Sequence, residues 1–307
     1  MRLIRTPAFE DSASFSFKTG DQMLRALAEI ARAGIAAETC GFDPGLTKVR
    51  MKRMSLMSDV KTLGAVISKQ KSLGKGLMAA AKIALGGRDF IEEDEYPLHM
   101  TAEGRSKEGV AADMAAARAL ARKFQGVEIE NTIAKVIRAM PFPPPNSMLG
   151  PEGESWVPVH GHVSLSNAPK MFADFQAYYE QMKPQFEQHR VHTGFLFTSL
   201  STNAITIEPV FFWPQGYRPV HESMMEPEHL KRLKQLGPNP EARAVVVAAR
   251  EGIKAICQRY GAAHFQIGRA YPYRESRDPA SRALLDAIKA VTDPKRQFNP
   301  GALGFAR

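Results

Sequence analysis

The sequence predicts an α+β fold: β-α-β units form one antiparallel sheet covered by helices, with a helical segment at the C-terminal end. Three observations predict it. Short strands of alternating apolar and polar residues are followed by helices with an apolar period near 3.6. This theme occurs on both sides of a stiff proline-rich stretch, Pro141 to Asn146 (PFPPPN). Beyond Trp213-Pro214 the strand signals stop and helical periodicity dominates.

The elements follow in order. Ser14 to Lys18 alternates Phe15 and Phe17 with polar residues, as a strand does. Asp21 opens a helix that places Leu24, Leu27 and Ala31 on one face and ends at Gly34. Ile35 to Phe42 is a second strand, so this run is a β-α-β unit of the ferredoxin-like kind. Tyr96 to Ala102 reads as a strand. Lys107 to Phe124 reads as a helix with Val110, Met114 and Phe124 inward. After the prolines, Trp156 to Ser166 puts Val157, Val159, Val163 and Leu165 on one strand face. His160, His162 and Ser164 fall on the other. A helix over Ala168 to Met182 aligns Phe172, Phe175, Tyr179 and Met182, and strands Val191–Leu200 and Ala204–Trp213 follow. The second run is therefore β-α-β-β. Helices are expected over Pro227–Leu236 and Asn239–Tyr260, the second ended by Gly261. In the closing helix Asp278 is the cap and Pro279 the first residue, with Leu284, Leu285, Ile288 and Val291 on one face.

The formal charge is +9, and it is local. The segment Thr47 to Arg88, read as a basic helical insertion over about 47–88, holds ten Lys/Arg against Asp59 alone. A solvated helical face or a patch for an acidic redox partner explains it. The segment carries no base-stacking aromatics, so nucleic acid is not an expected partner. Glycines interrupt its Met51, Met54 and Met57 spacing, which argues against a membrane-surface helix. No apolar run reaches membrane length. Two cysteines, Cys40 and Cys257, form no pairing pattern, and the opening MRLIRTPAFED has no apolar signal core. The expectation is a cytoplasmic protein with reduced thiols.

Four stretches occur in this order: WVPVHGHVSLS, AITIEPVFFWP, HFQIGRAYPYR and, near the end, FNPG. Together with the closing helix they resemble the substrate (cap) half of FAD-linked oxidases of the vanillyl-alcohol oxidase superfamily. The resemblance runs from about Ser14 to Arg307. It implies a cap-type substrate domain over 1–214 and, over 215–307, a helical segment that packs on an FAD domain. The family's FAD-binding half precedes the cap and has no counterpart here. Gly74-Lys75-Gly76 is no phosphate cradle, because it does not join a strand to a helix. FAD is thus expected to be held mostly by a separate FAD-binding domain or subunit. A small-molecule substrate is the other expected partner, and a homodimer stays open.

The resemblance also implies roles. The face carrying His160 and His162 looks toward the flavin, where these two and His264 would contact substrate. Tyr271, Tyr273 and Arg274 fall near the position where phenol-oxidising members hold a phenolate; hydroxyls and a guanidinium can stabilise such an oxyanion. The same stretch would also serve as a packed surface loop. Glu208 is an acid/base candidate, or else an edge salt bridge. Asn299 and Asn203 are carried as cofactor-binding, although Asn299 also suits its Asn-Pro-Gly turn. No metal is expected. The 2-hydroxyacid branch uses GHxGDGNxH and a later Glu-His pair. With Asn203 as the shared Asn, Thr198 and Ile205 replace the histidines and Ala263 replaces the glutamate.

The expected function is the substrate-domain part of an FAD-dependent oxidoreductase that oxidises a phenolic or other alcohol, by hydride transfer to flavin. Two alternatives stand beside it: a non-catalytic binding or scaffold module on this fold, and a metal-independent 2-hydroxyacid dehydrogenase-like enzyme.

Overall fold

The computed structural model describes residues 6–49, 94–139, 142 and 145–305. The basic insertion lies outside the described residues beyond Val49. In chain order the elements are β1 (Phe9–Phe17), α1 (Gly20–Ala33), β2 (Glu38–Phe42), β3 (Tyr96–Gly104), α2 (Lys107–Lys123), β4 (Val127–Ile129) and α3 (Thr132–Ala139). Then come β5 (Ser155–Pro158), β6 (Gly161–Ser164), α4 (Ala168–Gln188), β7 (His192–Leu200), β8 (Ala204–Trp213), α5 (Pro219–Met224), α6 (Pro227–Leu230), α7 (Pro240–Arg259) and α8 (Pro279–Thr292).

The strands form one antiparallel sheet in the order β4-β1-β3-β2-β7-β8-β5, with β6 also on β8. The first β-α-β run thus inserts β3 between its two strands and joins the second run through the β2–β7 pair.

Alternation along the strands gives the sheet two unlike faces. One carries Ala13, Phe15, Phe17, Leu98, Met100, Phe195, Phe197, Ile205, Ile207 and Phe211, all buried in one core. α1, α2, α4 and α7 cover this face: Leu24, Leu27, Met114, Phe172, Phe175, Val246 and Ile253 belong to the same core. Phe172 meets Phe195 and Phe197 edge-on at 5.1 Å each, geometry that adds to simple area burial. The opposite face is largely polar: Ser12, Ser14, His99, Thr101, Thr206 and His162 lie on it and are buried. Two cross-strand pairs are hydrogen-bonded within it, Ser12 with Thr101 at 3.0 Å and Ser14 Oγ with His99 Nδ1 at 2.8 Å.

Local signals account for the helix ends. Thr19 and Gln22 form a capping box on α1, and Gly34 closes it with φ +67°. Asp278 caps α8 by accepting from Ala280 and Ser281, each at 3.0 Å. Three features depart from the expectation. β4 is an additional short strand on β1. α4 continues through Pro184 to Gln188, because buried Phe186 packs on Tyr179 and Phe211 and holds the last turn despite the lost N–H. The helix expected over Pro227–Leu236 is shortened to the single turn of α6, and α5 forms before it at Pro219–Met224.

α8 exposes Leu284, Ile288 and Val291 to solvent. Its polar side faces the body instead, through the two-pronged pair of Arg274 with Asp286 at 2.7 and 2.6 Å. Among the described residues no helix is long and apolar enough to cross a membrane.

Asp43 ties the two runs together. Its Oδ1 accepts from Leu46 N and Phe195 N, both at 2.8 Å. Burial raises its carboxyl from 3.8 to about 6, against the pull of those hydrogen bonds. The native state therefore holds this proton more tightly than the unfolded chain. Its stabilisation is full below 3.8 and lost as pH rises through about 6. Replacing Asp43 by Asn should make the variant gain on wild type by about 1–2 kcal/mol between about pH 4 and pH 7. Urea unfolding at both pH values measures it.

Candidate functional site at the sheet edge

A proline inside β8 sets up the site. β5 and β6 share one register on β8: Pro158 pairs with Val210 and Gly161 with Ile207. The strand expected over Trp156–Ser166 is therefore continuous in register but divided in hydrogen bonding. Pro209 lies opposite Val159. It accepts Val159 N–H at 2.8 Å but has no N–H to return.

The outer side of this edge strand must find partners for its own backbone groups. The segment after α7 supplies them. Ala263 and His162 exchange backbone hydrogen bonds at 2.8 and 2.9 Å. His160 N–H donates to Tyr271 Oη at 2.9 Å, and His264 Nδ1–H donates to His160 O. Edge satisfaction thus brings His264 and Tyr271 against the two strand histidines. The rings of His264 and Tyr271 stack at 4.1 Å.

Five of the residues singled out from sequence meet here. Tyr271 Oη lies 3.2 Å from His160 Nδ1, and His160 Nε2 lies 3.0 Å from Glu208 Oε2. The assignment that satisfies every group has His160 donating through Nε2 to Glu208 and accepting the Tyr271 hydroxyl at Nδ1. Tyr271 is 5% exposed and His160 7%. Burial raises the Tyr271 hydroxyl above its ordinary range, partly opposed by the His160 N–H it accepts.

His162 is 8% exposed, and its Nδ1 lies 2.8 Å from Thr206 Oγ1. Its Nε2 is buried with no partner. Burial, followed by the neighbouring His160 and His264, lowers its pKa to about 4, so the ring is neutral at ordinary pH. His264 is lowered for the same first reason. Among the described residues no group of three or more His, Cys, Asp or Glu is arranged to hold a metal ion.

The other singled-out residues lie elsewhere. Arg274 is committed to Asp286. Tyr273 packs under the Arg277 guanidinium at 5.0 Å. Asn203 ends the β7–β8 turn, five residues before Glu208, or about 16 Å along an extended strand. Asn299 sits in the C-terminal turn with φ +47°. Three participants were not singled out: Pro209, Thr206 and Phe265. Phe265 lies across both histidines, its centroid 3.8 Å from His162 and 5.7 Å from His160. A proline within a strand and an aromatic beside His264 were the available signals.

Comparison with known proteins agrees with this architecture. Residues 245–303 match the family described as FAD linked oxidases, C-terminal domain. Alkyldihydroxyacetonephosphate synthase has a similar fold: 14% identity and a TM-score of 0.54, over 94% of this chain and 43% of that one. p-Cresol methylhydroxylase with substrate bound gives 12% and 0.56, over 98% and 53%. 4-Ethylphenol oxidase from Gulosibacter chungangensis, in its isoeugenol complex, gives 12% and 0.55, over 100% and 55%. The chain spans roughly half the length of each. Compared by sequence with curated proteins, it has no match. The family match is confined to that segment, and over the rest of the chain the likeness is one of fold.

Replacing Tyr271 by Phe leaves the buried His160 N–H and Nδ1 unpartnered. The expected loss is about 1–3 kcal/mol of unfolding free energy, read by urea denaturation. A loss well below 1 kcal/mol would mean that the edge finds other partners.

Proposed function

We propose that this chain is the substrate-domain part of an FAD-dependent oxidoreductase acting on an alcohol, phenolic or otherwise. The observation that carries the reading is the line Tyr271–His160–Glu208 beside the unpartnered His162 Nε2. A buried neutral imidazole nitrogen without a partner is costly unless something hydrogen-bonds to it. A substrate hydroxyl is the group that suits it. The residues present therefore fit the substrate side of a flavin site.

FAD, when bound, supplies the hydride acceptor. The chain's own residues handle the hydroxyl and its proton. His162, with its Nδ1 accepting from Thr206, donates Nε2–H to the substrate oxygen and orients it, which leaves the hydroxyl's own proton for Tyr271. Tyr271 Oη takes that proton as its own passes to His160 Nδ1, and Glu208 stabilises the resulting imidazolium. The His160 N–H at Tyr271 Oη stabilises negative charge there during the transfer. His264 holds Tyr271 and His160 in place. Arg274 and Tyr273 act through the position of α8, or meet a phenolate after Arg274 leaves Asp286. Asn203 and Asn299 are the residues we assign to contact with FAD.

An FAD-binding domain or subunit is the proposed partner. The exposed apolar side of α8, Leu284, Ile288 and Val291, supports it, since such a patch on a folded protein marks a contact surface. The fold neighbours do not by themselves select the reaction, because one is named a synthase and two are named for phenol chemistry.

The test is anaerobic flavin reduction in the FAD-loaded enzyme containing this chain, over a panel of phenolic and aliphatic alcohols. Glu208→Gln keeps the shape and removes the charge behind His160. It should slow reduction by about 10²-fold or more with little change in substrate affinity. Equal rates in wild type and variant would contradict the proposed relay.

A further inference from the structure

Phe265 is a large apolar side chain with no place in the core. It is 57% exposed, yet its ring is the aromatic nearest the buried His162. The rings meet at 62°, so Phe265 stands over the imidazole. The chain is pinned on either side of it. Ala263 is held by His162, and Gly268 O accepts Leu303 N–H at 2.7 Å. Between these points His264 is fixed through His160 O, while Phe265 and Ile267 project into solvent.

We propose that Phe265 is the movable wall of the substrate site: its ring covers the free Nε2 of His162 and swings away to admit the substrate hydroxyl. The inference rests on the substrate-site reading of the His162 cluster. It adds a residue that sets access and the size of substrate admitted. The physical case has two parts. A buried nitrogen without a protein partner needs a cover that keeps bulk water off it. An exposed ring between two pinned backbone points can rotate without disturbing the core.

The test uses diethyl pyrocarbonate, which modifies unprotonated imidazoles, with peptide mass analysis to assign the sites. His192 is exposed and serves as the internal reference. In wild type His162 should react about tenfold or more slowly than His192. Phe265→Ala should remove most of that difference, and Phe265→Trp should enlarge it. Equal His162 reactivity in wild type, Phe265→Ala and Phe265→Trp would overturn the proposal. The substrate-site reading is checked separately in the FAD-loaded Phe265→Ala enzyme. An alcohol that reduces the flavin should protect His162 from the reagent. Absence of protection, with the wild-type shielding intact, would refute that reading while leaving Phe265 established as the cover.

Discussion

The structure depends on how one open sheet edge is satisfied. The β5–β6 strand lies outermost on β8, and its outward N–H and C=O groups need partners in a place too buried for water to serve. Pro209 adds to the problem by withholding a ladder donor. Backbone from Ala263, the imidazole of His264 and the hydroxyl of Tyr271 resolve it in sequence along the edge. Residues more than a hundred positions apart are thereby brought into contact by backbone chemistry. The cluster follows from edge protection before any question of catalysis arises.

The two faces of the sheet divide the work. The helix-covered face holds Phe15, Phe17, Phe197 and Phe211 in a continuous apolar core. Its rigidity fixes the register of β7 and β8, and with it the positions of Thr206 and Glu208. On the polar face, burial keeps His162 neutral, while Glu208 keeps more solvent access than His160, at 18% against 9% of the side chain. A carboxylate that stays partly wet can remain charged beside a ring that gains a proton. A fully dry pair would resist that separation of charge.

Much of this was legible in the sequence. The alternation of valines and histidines in WVPVHGHVSLS put His160 and His162 on one face, because strand side chains alternate whatever the tertiary context. The Phe172, Phe175 and Tyr179 spacing gave the inward side of α4. Other features depended on contacts that local pattern does not encode. The three-residue β4 carries too little signal of its own and forms because β1 offers an edge. Arg274 meets Asp286 because α8 sets its polar side against the body, a choice unrelated to periodicity. Phe265 read as part of a motif. Its position over His162 arises only once Ala263 pairs with that strand.

The central claim is that His160 is a neutral ring held between a phenol that donates to it and a carboxylate that accepts from it. Nitrogen-15 NMR of the histidine side chains, correlated to their carbon-bound protons at neutral pH, tests it most directly. The account predicts a proton on His160 Nε2 and none on Nδ1, with the pattern lost on Glu208→Leu, which removes the acceptor. A His160 ring protonated at Nδ1 instead, or one unaffected by removing the Glu208 acceptor, would contradict it.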